Sequence, residues 1–248
     1  MTRHVLFGFH AIGVRLKVAP ETVVELHVDA TRRDQRVRQL VERAREAGTR
    51  ILDSDDTRLA RLAATPRHQG VVARVTALKR STSIDDTLDA VGATAAGVPP
   101  LVLVLDGVTD PHNLGACLRV ADGAGVHAVI APVDHAVGIG ATVSKVASGA
   151  AETVPYFMVT NLARTLNELK ERSIRVVGLA DEADASLWDT DLAGPLALVL
   201  GAEGRGLRQL TARTCDALAR LPMAGAVESL NVSVASGIAL YEAVRQRR

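Results

Sequence analysis

Apolar residues along the chain follow two regimes. Over roughly the first 75 residues, short alternating runs are interleaved with helical periodicity. The pattern predicts a strand from Val5 to Phe9, a helix from His10 to Ala19, a strand from Val23 to Val28 and a helix from about Arg33 to Ala47. A strand at Arg50 to Leu52 and a short helix at Asp56 to Ala64 follow, and the β-branched alternation between His68 and Val75 reads as a closing strand. Together these predict a small α/β domain, bounded at 1–78. Ser, Thr, Gly and Pro then surround one weak helix, Ile84 to Ala95, which reads as a linker over 79–98.

From Leu101 onward the apolar runs become continuous. Strands are expected at Leu101 to Leu105, His127 to Ala131, Val154 to Val159, Ile174 to Leu179, Leu196 to Leu200 and Ala217 to Leu221. Helices are expected near Leu114 to Ala124, Ala141 to Ala147, Leu162 to Arg172, Leu207 to Arg213 and Val232 to Arg247. Unbroken apolar strands separated by helices predict a mostly parallel sheet covered on both faces, in a second domain over 99–248.

Composition adjusts this picture in three ways. With 48% hydrophobic but only 2% aromatic residues, the cores must be built from Ala, Val and Leu. No apolar run approaches the roughly 18 residues of a membrane span, and the first residues lack a signal-peptide pattern, so a cytoplasmic protein without membrane contact is expected. Cys117 and Cys215 stand far apart without Cys-x-x-Cys spacing, and the seven histidines are scattered. No metal site is expected, and both thiols read as small core residues in a reducing compartment.

The net charge of +1 conceals an asymmetry. Residues 1–80 carry 16 Lys and Arg against 9 Asp and Glu, whereas 81–248 carry 13 against 19. A basic module joined to an acidic one suits nucleic-acid binding coupled to chemistry. The competing reading is a solvated helix face, since Arg32, Arg33, Arg36, Arg38, Arg43, Arg45 and Arg50 fall on one predicted helix and its flanks.

Three segments carry candidate chemistry. In the first, Leu221 to Ala235, a polar loop ending in Ser229, Leu230 and Asn231 runs directly into an apolar helix. A helix start directs unpaired N–H groups and a positive dipole end at whatever precedes it. Ser229 and Asn231 are also good N-cap residues, and capping alone would explain them. The second segment, Asp106 to Arg119, puts Arg119 on a small, apolar helix six residues after Asn113, where it calls for an anionic partner or a structural ion pair. The third, Gly201 to Gly206, carries three glycines that allow close backbone approach to a ligand or simply a tight turn.

In this order, the three segments resemble the signature set of the SpoU/TrmH family of RNA ribose 2′-O-methyltransferases, within the SPOUT superfamily. The resemblance runs from about Leu101 to the C-terminus. It implies a SPOUT α/β trefoil-knot domain with a mostly parallel sheet, preceded by a small N-terminal α/β ribosomal-protein-like (L30e-like) RNA-binding domain. It further implies S-adenosylmethionine as methyl donor, a homodimer with active sites at the subunit interface, and 2′-O-methylation of a guanosine ribose in the peptidyl-transferase P loop of 23S rRNA. A tRNA ribose methyltransferase and a non-catalytic rRNA-binding assembly factor are the alternatives.

By the same resemblance Asn113, Arg119, Glu203, Ser229 and Asn231 are the catalytic set, and Gly201, Leu221, Met223 and Leu230 surround the donor. Arg119 is implied to activate the 2′-hydroxyl. Its guanidinium stays protonated up to about pH 12, so clamping a phosphate and polarising the hydroxyl is easier than acting as a base. His112 has a suitable intrinsic pKa for a base but also reads as an exposed helix-start residue. Ala202 departs from the pattern, standing where many family members carry a small polar residue.

Overall fold

The computed structural model describes residues 3–76, 83–92 and 97–248. By its contacts the chain divides into two compact units, Met1–Arg80 and Ser81–Arg248.

The first unit contains β1 (Arg3–Phe7), α1 (Phe9–Val18), β2 (Val23–Asp29), α2 (Gln35–Glu46), β3 (Arg50–Ser54), α3 (Asp56–Ala63) and β4 (Val71–Thr76). The sheet order is β1-β4-β2-β3, with β4 antiparallel to both neighbours and β2 parallel to β3. Aspartates set the starts of two helices: the Asp34 carboxylate accepts from the Val37 amide at 3.3 Å, and that of Asp55 from the Arg58 amide at 2.7 Å. Ile12, Leu26, Leu40 and Val71 pack between the sheet and α1 and α2, while Leu59 of α3 packs with Val72 on the opposite face. Arg32 pairs with Asp34 at 2.6 Å and lies over the Phe9 ring at 5.1 Å. Arg33, Arg36, Arg43 and Arg45 are exposed and have no carboxylate partner among the described residues.

In the second unit, α4 (Ile84–Gly92) buries Leu88 among Val102, Val104 and Leu166. The helix expected over Ile84 to Ala95 is described as far as Gly92; its remainder, in residues 93–96, lies outside the described residues, as do residues 77–82. Then come β5 (Leu101–Asp106), α5 (Pro111–Gly123), β6 (Ala128–Pro132), α6 (Ala141–Ala147), α7 (Ala150–Thr153), β7 (Tyr156–Val159), α8 (Leu162–Glu171), β8 (Arg175–Leu179), β9 (Leu196–Gly201), α9 (Gln209–Thr214), β10 (Ala217–Ala219) and α10 (Val232–Gln246).

These six strands form one parallel sheet in the order β10-β8-β9-β5-β6-β7. The period-two alternation of a strand explains its two-sided burial. Leu101, Leu103 and Leu105 face the layer that holds Leu114, Leu118 and Leu240, whereas Val102 and Val104 face Leu162, Leu166 and Leu169. The chain enters the sheet at its middle, moves outward through β6 and β7, and returns on the other side as β8. Strand order therefore reverses at the β5–β9 junction, the place where open α/β sheets leave a crevice at their strand ends.

Several boundaries depart from the sequence reading. Helix α5 begins at Pro111 rather than Leu114, because the Asp110 side chain accepts from the His112 amide at 2.9 Å and Pro111 suits a first turn. Strand β10 stops at Ala219 rather than Leu221, where its pairing with β8 ends. Helix α7 and a single 3-10 turn at Leu187–Asp189 are too short for periodicity to reveal. Cys117 and Cys215 are free thiols in or beside the core; burial raises each to a pKa of about 11, making them poor nucleophiles.

Candidate active site

The turn after β9 is closed by backbone. The Gly206 amide donates to the Ala202 carbonyl at 2.9 Å, doubling the chain back on itself. A Cβ on Gly201 would lie 2.0 Å from the Gly206 carbonyl carbon and 2.4 Å from the Leu207 nitrogen, so no other residue fits without opening the turn. Gly204 and Gly206 hold φ of 75° and 63°, which glycine adopts without strain. The tight turn that the glycines allow is therefore present.

Asn231 caps α10. Its Oδ1 accepts from the Ser233 amide at 2.9 Å and from the Ser233 hydroxyl at 2.6 Å. Its amide nitrogen remains to donate elsewhere, and does so to Asn113 Oδ1 at 2.9 Å and Glu203 Oε2 at 3.3 Å. Asn113 Nδ2 in turn lies 3.5 Å from Glu203 Oε2. Asn231 therefore both caps and joins three of the sequence-selected residues. Ser229 is exposed and takes no part in the cap.

A cavity of about 350 Å³ lies at the ends of β8, β9 and β10. Gly201, Leu221, Met223 and Leu230, the four residues selected for donor binding, all line it, together with Glu203 and Ser229. Sequence reasoning missed Leu179 to Glu182, which close the wall opposite the glycine turn. The available signal was a strand end followed by acidic residues, a common ligand position in α/β sheets. Asp181, Glu182 and Glu228 give the rim a negative character suited to a cationic ligand.

Arg119 is not brought to this cluster within the chain. Six residues on a helix rotate the side chain by about a third of a turn relative to Asn113 and advance it by about 9 Å. Arg119 lies exposed on α5 and forms no ion pair among the described residues, so a structural salt bridge does not account for it. One turn further along the same face, a Cβ on Gly123 would come 3.1 Å from the Tyr241 hydroxyl of α10. Tyr241 and Val234 on α10 are about half exposed. His112 is exposed at the start of α5. Among the described residues no group of His, Cys, Asp and Glu is arranged to hold a metal ion.

A parallel α/β sheet with a glycine-turn cavity at its switch point, preceded by a basic α/β unit, defines a ligand-binding catalytic domain joined to a nucleic-acid-type module. The sequence pattern of the SpoU rRNA Methylase family matches residues 100–241, and that of the RNA 2′-O ribose methyltransferase substrate-binding domain matches residues 5–81. The chain belongs to the SpoU rRNA methylase family.

It is 58% identical to the 23S rRNA (guanosine-2′-O-)-methyltransferase RlmB of Ralstonia nicotianae, over 98% of this chain and 95% of that protein. It is 52% identical to the protein of the same name from Shewanella oneidensis, over 98% of each chain. Among solved structures, an RNA 2′-O ribose methyltransferase superposes with a TM-score of 0.77 at 26% identity, covering 99% of this chain and 89% of the other. The SpoU methyltransferase AviRb from Streptomyces viridochromogenes, in complex with AdoMet, gives 0.75 at 25% identity, covering 99% and 90%.

Proposed function

We propose that the protein transfers a methyl group from S-adenosylmethionine to the ribose 2′-oxygen of a guanosine in the peptidyl-transferase P loop of 23S rRNA, in the cytoplasm, as a homodimer. The observation that carries this reading is the convergence of Asn113, Glu203 and Asn231 on the edge of the glycine-turn cavity, in a chain more than half identical over nearly its whole length to proteins named for that reaction.

The residues present suit the donor. The cavity offers main-chain groups of a turn that tolerates no side chain at Gly201, apolar Leu221, Met223 and Leu230, and an acidic rim for a cationic molecule. When bound, S-adenosylmethionine supplies a methyl group on a positively charged sulfur, which is transferable without a metal. The chain's own contribution is placement, which can be worth about 7–11 kcal/mol when two reactants are aligned. Asn231, fixed by its cap, holds Asn113 and the Glu203 carboxylate, and so ties the start of α5 and the glycine turn to the start of α10. Ser229 lines the same cavity.

Arg119 clamps a phosphate of the target and polarises the 2′-hydroxyl. Its exposure on α5, with that of half-exposed Val234 and Tyr241 on α10, supports a site completed by a second copy. Residues 1–78 act as the RNA-holding module, 79–98 as the linker and 99–248 as the methyltransferase domain. The trefoil knot belongs to the same reading, as the family resemblance implies, and fits a chain that leaves β10 to tie the start of α10 to α5 through Asn231 and Asn113.

Mapping 2′-O-methyl groups on rRNA and tRNA from cells with and without the gene tests the proposal. Loss of a single P-loop guanosine mark in 23S rRNA is expected. Loss of a tRNA mark instead would redirect the substrate, and unchanged methylation would favour an assembly factor.

A further inference from the structure

A second cavity, of about 460 Å³, lies on the other side of the glycine turn. Ala202, Glu203, Arg205 and Gly206 line both cavities; Asp106, Gly107, Thr109, His135 and Arg208 line only the second. It opens at the ends of β5 and β9, at the switch point itself, and its volume lies within the roughly 300–1,000 Å³ of small-molecule sites.

Its walls are held in place. The Asp106 carboxylate, buried, accepts from Arg208 Nε at 2.6 Å and from the Arg208 amide at 3.0 Å, and Arg208 Nη1 reaches Asp134 at 3.3 Å. Arg208 is thereby spent on structure. Gly107, at φ 89°, lies beside Ala202: a Cβ there would sit 3.5 Å from that of Ala202, so this part of the lining carries nothing larger than a methyl group. His135 holds φ 59°, an uncommon conformation outside glycine. Arg205, by contrast, is exposed and forms no ion pair among the described residues. The cavity thus combines small residues at Gly107 and Ala202, a fixed wall, the exposed Thr109 and one uncommitted planar guanidinium.

We propose that this cavity seats the base of the acceptor guanosine, with Arg205 donating to its O6 and N7. The inference rests on the methyltransferase reading and deepens it by naming how the target base is recognised. An arginine fork meeting O6 and N7 is the commonest specific contact to guanine, because only guanine offers two acceptors on that edge. The donor cavity shares the same turn, so a base seated here would keep its ribose next to the donor, and Glu203 borders both cavities.

The test uses the full-length protein and a P-loop RNA fragment with guanosine or 7-deazaguanosine at the target position, the second lacking the N7 acceptor. The wild type is expected to lose about 10-fold in kcat/KM on 7-deazaguanosine, whereas Arg205→Ala, already impaired on guanosine, shows no further loss. Thr109→Trp, which fills the cavity from an exposed position, should lower RNA affinity and kcat/KM by at least about 10-fold and leave donor affinity within about twofold, as befits loss of one good base contact. Equal 7-deaza penalties in wild type and Arg205→Ala would overturn the contact. Wild-type behaviour of Thr109→Trp, or an equal loss of donor binding in it, would overturn the seat. RNA affinities, measured alongside, judge the cavity even in a protein that transferred no methyl group, which would instead count against the methyltransferase reading.

Discussion

Asn231 Nδ2 lies 2.9 Å from Asn113 Oδ1, joining two residues 118 positions apart in the sequence. The same side chain uses its oxygen to cap α10, so one amide performs a structural and a positioning task with different atoms. Asn231→Asp separates the two, because aspartate caps a helix as well as asparagine but donates nothing to Asn113 and sets a second carboxylate beside Glu203. Its melting temperature should stay within a few degrees of wild type, while methyl transfer falls by about 10- to 100-fold, the effect of losing a hydrogen bond to a charged group. Asn231→Ala should lose both activity and about 1 kcal/mol of stability. Scanning calorimetry with a methyl-transfer assay distinguishes them.

Gly201→Ala should abolish measurable donor binding in titration calorimetry, because its Cβ would stand 2.0 Å from backbone that cannot yield without opening the turn. Gly204→Ala meets no neighbour and should cost only the strain of a left-handed alanine, about 1–2 kcal/mol, with donor binding weakened but detectable.

Arg119→Ala should lower the methylation rate by at least about 100-fold, as for loss of one preorganised transition-state donor, with donor affinity near normal. Arg119→Lys keeps the charge but not the planar fork and should recover only a small part. An ionisation in the wild-type pH–rate profile that disappears in Arg119→Lys would show that the arginine acts as a base.

Removal of residues 1–78 should leave a folded protein that binds the donor and loses most RNA affinity, since that region carries an excess of five positive charges. RNA affinity of the full-length protein should fall steeply with salt. Equal affinity of both forms at matched salt would count against the charge asymmetry.

Hydrogen bonds from Arg245, and then Gln246, hold the Glu242 carboxyl at a pKa of about 2, below its ordinary value of 4.5. A carboxylate depressed on folding stabilises the native state above its ordinary pKa and loses that contribution as pH falls toward its folded value. Glu242→Gln should therefore lower the unfolding midpoint at pH 7, and the difference from wild type should shrink between about pH 5 and pH 2 in denaturant titrations.

Most of the fold was legible in the sequence because its strands are buried on both faces and read as unbroken apolar runs; Leu101 to Leu105 and Leus 196 to 200 need no neighbours to be recognised. The misses share a cause. The three-residue β10 and four-residue α7 are ended by tertiary packing, and no period of 2 or 3.6 can register in so few positions. At the site, the glycine turn and the capped start of α10 announce themselves by residue type. Arg119 does not: a spacing of six tells how far it lies along α5 but not what stands opposite its face. Asp181 and Glu182 escaped notice because acidic residues after a strand are commonplace on any surface.

Helix α10 begins at Asn231 in the site and is followed by Arg247, whose guanidinium donates to the carbonyls of Pro99 at 3.1 Å, Pro100 at 3.0 Å and Gly194 at 2.6 Å. Those carbonyls lie at the opposite end of the sheet, just before β5 and β9 begin. The helix works as a strut about 22 Å long that sets the height of Asn231 above the strand ends. Loosening the distant footing shifts the Asn231 amide while the sheet stays intact, so on heating the protein should lose turnover before it loses its fold.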